Sequence, residues 1–364
     1  MGKKINAKLI CENGREFYGT YFGAEKEVVC PLAVSTAMVG YQEAISDPTS
    51  ASLGVVITYP IIGNYGITDE DNETKTPSLA ALIVREYNDM PSNFRCTRTL
   101  SEWLEENGIV GFSGIDTRAL AKMLREEGSM RGIITTPETT AEEGVKRIKE
   151  TAESTDLVKK VSSKKTWYVR TADHKFNVVA IDCGIKQNII KMLGKRACNV
   201  TVVPYNTSAE EILALKPDGV LISNGPGNPE DVSEVIKTVS SLLDKVAILG
   251  IGLGHQVLCL ASGGKVYKMK NSHCGGNHPV RNLETGKIEI TAQNHSFAVC
   301  EESLKGTGLI VTHKNVLDGT VEGMKLESGN ALSVQHHPES APGPQDSEYI
   351  FDVFAEMMSK GGKE

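Results

Sequence analysis

Two stretches of this chain carry residues whose types and spacing could do chemistry. The first reads Ile248-Leu249-Gly250-Ile251-Gly252-Leu253-Gly254-His255-Gln256. Val246-Ala247-Ile248-Leu249 is an apolar run of strand length, and from Gly254 onward Gln256, Val257, Leu258, Leu260 and Ala261 suit a helix packed on a sheet. A strand, a tight turn bracketed by the small residues Gly250 and Gly252, and then a helix make a nucleophile elbow. Such a turn holds its tip residue over the C-terminal end of the strand. The helix N-terminus then aims backbone N–H groups at any anion forming there. Here the tip is Gly252, which has no side chain and therefore no nucleophile.

The second stretch is Val334-Gln335-His336-His337-Pro338-Glu339. A histidine two residues before a glutamate, with proline fixing the backbone between them, suits a general base and the carboxylate that orients it. Taken alone it reads more readily as a surface turn; the elbow and the 223–229 loop upstream reverse that balance. Cys259 is a poor substitute nucleophile, because seven residues place it about two helical turns beyond the tip. The loop Ser223-Asn224-Gly225-Pro226-Gly227-Asn228-Pro229 lacks the G-K-[ST] of a phosphate-binding loop. His278 and His295 have no third partner at metal-ligand spacing, so no metal site is expected.

The elements that must hold these residues follow from periodicity. From residue 176 the chain alternates strand and helix. Val178–Ile181, Val200–Val203 and Gly219–Ile222 read as strands, Ile185–Leu193 and Ser208–Leu215 as helices. That alternation predicts a doubly wound, mostly parallel sheet with its site at the strands' C-terminal ends, where the 223–229 loop and the elbow both fall. The preceding part is β-rich α+β, with strands near Lys8–Cys11, Glu27–Cys30 and Val55–Tyr59. Thr99-Leu100-Ser101-Glu102 is a capping box, and Asp116 and Gly128 should start and stop a further helix. The expected domains are 1–152 and 176–364, joined by a polar linker over 153–175 that contains the basic pairs Lys159-Lys160 and Lys164-Lys165.

Composition narrows the class. The 364 residues are 40% hydrophobic and 23% charged with a net charge of −7, which argues against nucleic acid or an anionic membrane as partner. No apolar run approaches the length of about 18 residues needed to span a bilayer. The eight cysteines are scattered with no C-x-x-C pair, the pattern of free thiols in a reducing cytoplasm.

Four of these segments together, S-N-G-P-G-N-P, G-I-x-L-G-H-Q, Q-N-H-S-F and Q-H-H-P-E-S-x-P-G-P, resemble a class I, triad-type glutamine amidotransferase. In the first half, T-A-M-V-G-Y-Q-E, T-Y-P-x-I-G-N-Y-G and G-I-D-T-R-A-L resemble the small subunit of carbamoyl phosphate synthase. The resemblance implies hydrolysis of L-glutamine to glutamate and ammonia through a cysteine thioester. The ammonia is channelled to a large subunit that makes carbamoyl phosphate from bicarbonate and ATP for pyrimidine and arginine synthesis. It implies no cofactor in this chain, since ATP and Mg act on the large subunit.

By position, the resemblance makes His337 the base, Glu339 its orienter, and the backbone N–H groups of Gly225 and Leu253 the oxyanion donors. Glutamine contacts map to Thr49, Gly225, Gly227, Leu253, Gln256, Asn294, Ser296 and Phe297. Three departures stand out: Gly252 replaces the family's nucleophilic cysteine, Thr49 replaces serine, and Ser296 replaces glycine. A rival expectation follows from the first, a non-hydrolytic subunit that supports ammonia-dependent synthesis.

Overall fold

The computed structural model describes residues 5–361. The chain divides into two compact units, Met1–Ser154 with Lys270–Gly275, and Thr155–Met269 with Gly276–Glu364.

The first unit is built on a closed seven-stranded barrel. Around it run Ala7–Cys11, Glu16–Gly23, Val110–Ser113, Ala81–Val84, Gly54–Ile57, Val28–Ser35 and Arg131–Thr135, the last pairing back onto the first. Inward residues Leu9, Leu32, Val56, Ile83, Phe112 and Ile134 fill it. Each such buried side chain contributes about 1.5–3 kcal/mol. A second cluster on its outer face packs Ile45, Leu82, Leu100, Trp103 and Leu104. The caps read from sequence are present. Thr99 and Glu102 form a reciprocal capping box on Leu100–Glu106, and Asp116 accepts from Ala119 N at 2.9 Å to start Thr117–Glu127. That helix stops at Gly128, which takes a φ of 98° that favours glycine.

The second unit carries a ten-stranded sheet. Its centre is five parallel strands in the spatial order Cys198–Pro204, Phe176–Asp182, Gly219–Ile222, Ala247–Ile251 and Ala331–Val334. The first two strands in sequence sit in reversed order, so the winding changes direction beside Phe176–Asp182 and leaves a crevice at the strands' C-terminal ends. Helices cover both faces. Val235, Val239, Leu242, Val257 and Leu258 seal one side, and Ile189, Leu193, Phe351 and Phe354 the other. The parallel sheet read from the βα alternation is this central part. Beyond Ala331–Val334 the sheet continues with antiparallel strands, among them Ile288–Val299, Leu309–Asn315 and Val321–Leu326.

The polar stretch 153–175 differs from the expected linker. From Thr155 it belongs to the second unit. Leu157–Val161 is helical, and Trp167–Val169 pairs antiparallel with Cys198–Pro204 as an edge strand. Ser163 N also donates to Asp182 Oδ2 at 2.8 Å. The strand was masked by its charged flanks: an edge strand buries little, so three residues, Trp-Tyr-Val, suffice to hold it.

Candidate active site

The elbow forms where the sequence placed it. Ala247–Ile251 is a strand, Leu253–Ala261 a helix, and Gly252 between them has φ 57° and ψ −108°. Its N–H donates to Val334 O at 2.9 Å, and its carbonyl accepts from His255 N at 3.1 Å. The glycines that the turn requires are Gly250 and Gly254, not the expected Gly250–Gly252 pair. A β-carbon on Gly250 would lie 2.6 Å from Gly254 O, and one on Gly254 would lie 2.2 Å from Ile222 O. At Gly252 the nearest atom to a β-carbon would be Asn224 Cβ at 3.5 Å, an ordinary contact. The tip therefore has space for a side chain, although its positive φ strains any residue but glycine.

The His-Pro-Glu segment leaves the end of the neighbouring parallel strand, where Ile251 is in register with Val334. His337 Nδ1 lies 2.8 Å from Glu339 Oε1, and both side chains are buried. His337 Nε2 has no hydrogen-bond partner among the described residues. One edge of the ring is thus pinned and the other is free to exchange a proton, which is what a general base needs.

Sequence reasoning missed Lys186. Its buried ammonium lies 3.0 Å from Glu339 Oε1 and donates to Ser340 O at 2.6 Å. Burial pushes the Glu339 carboxyl up, but the charges of Lys186 and His337 outweigh it and hold the group at about 2, against an ordinary 4.5. Glu339 is a fixed anion at neutral pH. The one signal in the sequence was a lysine just past the strand Phe176–Asp182, in Cys183-Gly184-Ile185-Lys186, at the end of the sheet where sites form.

The remaining candidates fall as follows. Gly225 faces the strand end so closely that a β-carbon would lie 2.3 Å from Cys183 O. Only glycine allows the backbone of that loop to stand there. Gly227 takes φ 89°. Leu253 is the first residue of the elbow helix, where backbone N–H groups lack intrahelical partners. Gln256 is buried, and its Nε2 donates to Phe297 O at 2.8 Å and Gln335 Oε1 at 2.9 Å. It thereby ties Ile288–Val299, which carries Asn294, Ser296 and Phe297, to the elbow helix. Thr49 lies in the first unit, in the turn Pro48–Ser50, where its N–H donates to Asp47 Oδ1 at 2.8 Å. All other candidates lie in the second unit.

Neither Cys259 nor Cys183 takes the place of the missing thiol. Cys259 is buried in the elbow helix, and desolvation pushes its thiol up to about 12. Burial pushes the fully buried Cys183 higher still. Neither forms a thiolate near neutral pH.

Residues 179–357 match the family described as glutamine amidotransferase class-I, and residues 9–134 match the carbamoyl-phosphate synthase small chain, CPSase domain. The chain is 48% identical over 354 residues to the carbamoyl phosphate synthase pyrimidine-specific small chain of Halalkalibacterium halodurans, covering 97% of each. It belongs to the carbamoyl phosphate synthase small chains. A second relative, the carbamoyl phosphate synthase small chain of Listeria innocua, is 46% identical over 359 residues, covering 99% of this chain and 98% of that one. Membership accounts for the pairing of a barrel unit with an amidotransferase unit in one chain.

Proposed function

We propose that this chain is the glutamine-handling subunit of a glutamine-dependent carbamoyl phosphate synthase. It binds L-glutamine over the elbow and, given a thiol at position 252, splits it into glutamate and ammonia. The observation that carries this reading is the buried series His337–Glu339–Lys186 beside an elbow with room at its tip. In the reaction, the thiol attacks the side-chain amide carbon and His337 Nε2 takes its proton. Glu339 holds the ring in the tautomer that leaves Nε2 basic and stabilises the imidazolium. The N–H groups of Gly225 and Leu253 meet the oxyanion. His337 returns the proton to the departing ammonia, and water then releases glutamate.

The ammonia serves a large partner subunit, which consumes ATP, with Mg, and bicarbonate. The carbamoyl phosphate so made feeds pyrimidine and arginine synthesis. The small chain needs no cofactor of its own. Nothing in this role calls for nucleic acid or membrane, and its place is the cytoplasm. No helix among the described residues is long and apolar enough to cross a membrane.

Gly252 supports a second reading, a subunit that holds glutamine without splitting it while the large chain uses free ammonia. The intact buried base and carboxylate favour the first. The test is ammonia release and carbamoyl phosphate formation, each with and without the large subunit, for the chain as it stands and for Gly252→Cys. Glutamine-dependent activity in the Cys form supports the proposal. An inert Cys form in the full complex refutes it.

A further inference from the structure

We infer that the space at the elbow tip is a site for a small external sulfur nucleophile, and that hydrosulfide bound there lets this chain cleave glutamine without a cysteine. The inference rests on the proposed function, because glutamine must occupy the site. Three observations on the second unit carry it.

First, the tip accepts a β-carbon without a clash. A β-carbon at Gly252 would find Asn224 Cβ at 3.5 Å, Asn224 Cα at 3.6 Å and Gln335 O at 3.9 Å, and nothing nearer. The flanking glycines offer no such room, with carbonyls at 2.6 Å and 2.2 Å. Of these three glycines, only the tip accepts a β-carbon at ordinary contact distance. Second, a base is in place. His337 is buried, its Nδ1 is held by Glu339, and its Nε2 has no partner among the described residues. The backbone from Val334 to His337 passes the tip, since Gly252 N donates to Val334 O at 2.9 Å. Third, the elbow helix begins at Leu253, so its first N–H groups and its dipole favour an anion at the tip.

Hydrosulfide suits this space by size, charge and softness, and it carries one proton for His337 to take. The step balances without any redox partner. The sulfur of HS⁻ bonds to the side-chain amide carbon of glutamine, its proton passes to His337 Nε2, and the oxyanion forms against the backbone amides. The carbon–nitrogen bond then breaks, and the proton goes from His337 to the leaving group. One glutamine and one HS⁻ become one γ-thiocarboxylate of glutamate and one ammonia. Glutathione, a far bulkier thiol, serves as the size control.

The experiment uses the full chain with its large subunit. Ammonia release and the γ-thiocarboxylate, the latter by mass spectrometry, are followed with glutamine and increasing sodium hydrosulfide. The expected result is a rate that saturates in hydrosulfide and is absent with glutathione. Gly252→Ala fills the space and should reduce the hydrosulfide-dependent rate to that of solution. His337→Gln should lower it about 100-fold, the scale of general-base catalysis. A rate that rises linearly with hydrosulfide and is the same in Gly252→Ala overturns the inference.

Glutamine binding by calorimetry and the activity of Gly252→Cys separate the two levels of the argument. If glutamine binds and the Cys form turns it over while hydrosulfide does nothing, this inference fails and the proposed function stands. If glutamine does not bind and the Cys form is inert, both fail.

Discussion

Replacing Lys186 with methionine isolates the electrostatics that hold the base in place. Both Lys186 and Glu339 are buried, and Lys186 Nζ is 3.0 Å from Glu339 Oε1. The Glu339 carboxyl is held at about 2 against an ordinary 4.5. At about 1.4 kcal/mol per pH unit, that corresponds to about 3 kcal/mol favouring the ionised form in the folded chain. After burial, which raises the carboxyl, the charge of Lys186 is the largest cause and lowers it, and the charge of His337 is the next. Methionine fills much of the same volume but leaves a buried carboxylate with one partner fewer, which costs about 3–5 kcal/mol.

The sign of the pH dependence follows. In the chain as it stands the folded-state value is depressed, so the contribution is fully present above 4.5 and lost as pH falls toward about 2. In Lys186→Met, burial, the largest cause, is opposed by His337 without Lys186, so the carboxyl should be raised and the variant should regain stability as acid protonates it. The penalty is therefore largest at pH 7 and smaller at pH 5. Urea unfolding of the second unit measures this, followed by Trp167 fluorescence in a Trp103→Phe background that silences the chain's other tryptophan. A penalty below about 1 kcal/mol, or one equal at both pH values, would refute the reasoning. Adding Glu339→Gln should recover part of the loss, as the closing leg of a double-mutant cycle.

Three further expectations follow from the same geometry. Gly252→Cys should switch on glutamine hydrolysis while lowering stability by about 1–2 kcal/mol, because φ 57° disfavours a side chain; urea midpoints and ammonia assays on the same samples check both. Gly254→Ala should destabilise by about 1–3 kcal/mol and abolish glutamine binding, since its methyl would meet Ile222 O at 2.2 Å; calorimetry showing normal affinity would contradict the elbow packing. Burial holds His255 at about 3, His313 at about 4 and His336 well below its ordinary 6.5, so these rings stay neutral when folded and gain protons on unfolding. Stability should fall as pH drops below 6.5, and His336→Leu should flatten that slope, because neither ring nitrogen of His336 has a partner among the described residues.

Much of the fold was legible because its signals are local. Gly219–Ile222 is a fully buried apolar run, and a run of that kind flanked by helical spacing admits little besides a central parallel strand. The caps at Thr99 and Asp116 depend on residues three apart, and both form as read. What local pattern could not reveal was closure and extension. Nothing within Ala7–Cys11 or Arg131–Thr135 says that they pair and shut the barrel. The long strand Val266–Asn282 gave no clear alternation, since it mixes buried and exposed positions without a period of two. The edge strand Trp167–Val169 was hidden by its polar neighbours, being only three residues long and held by the backbone of Cys198–Pro204 and the half-buried Trp167 and Val169.

The candidate site divides along the same line. Sequence alone determined the elbow, the His-Pro-Glu pair and the absent thiol, because a tight turn and a proline-fixed pair are written in consecutive residues. Tertiary structure alone decided that Lys186 reaches Glu339 across 153 residues of chain, that Gln256 is tied to Phe297 and Gln335, and that Gly250 and Gly254 cannot carry a side chain while Gly252 has room for one. The physical reason is that charge pairing and steric room depend on which strand ends become neighbours. That is set by the order of strands in the sheet, which no short stretch of sequence contains.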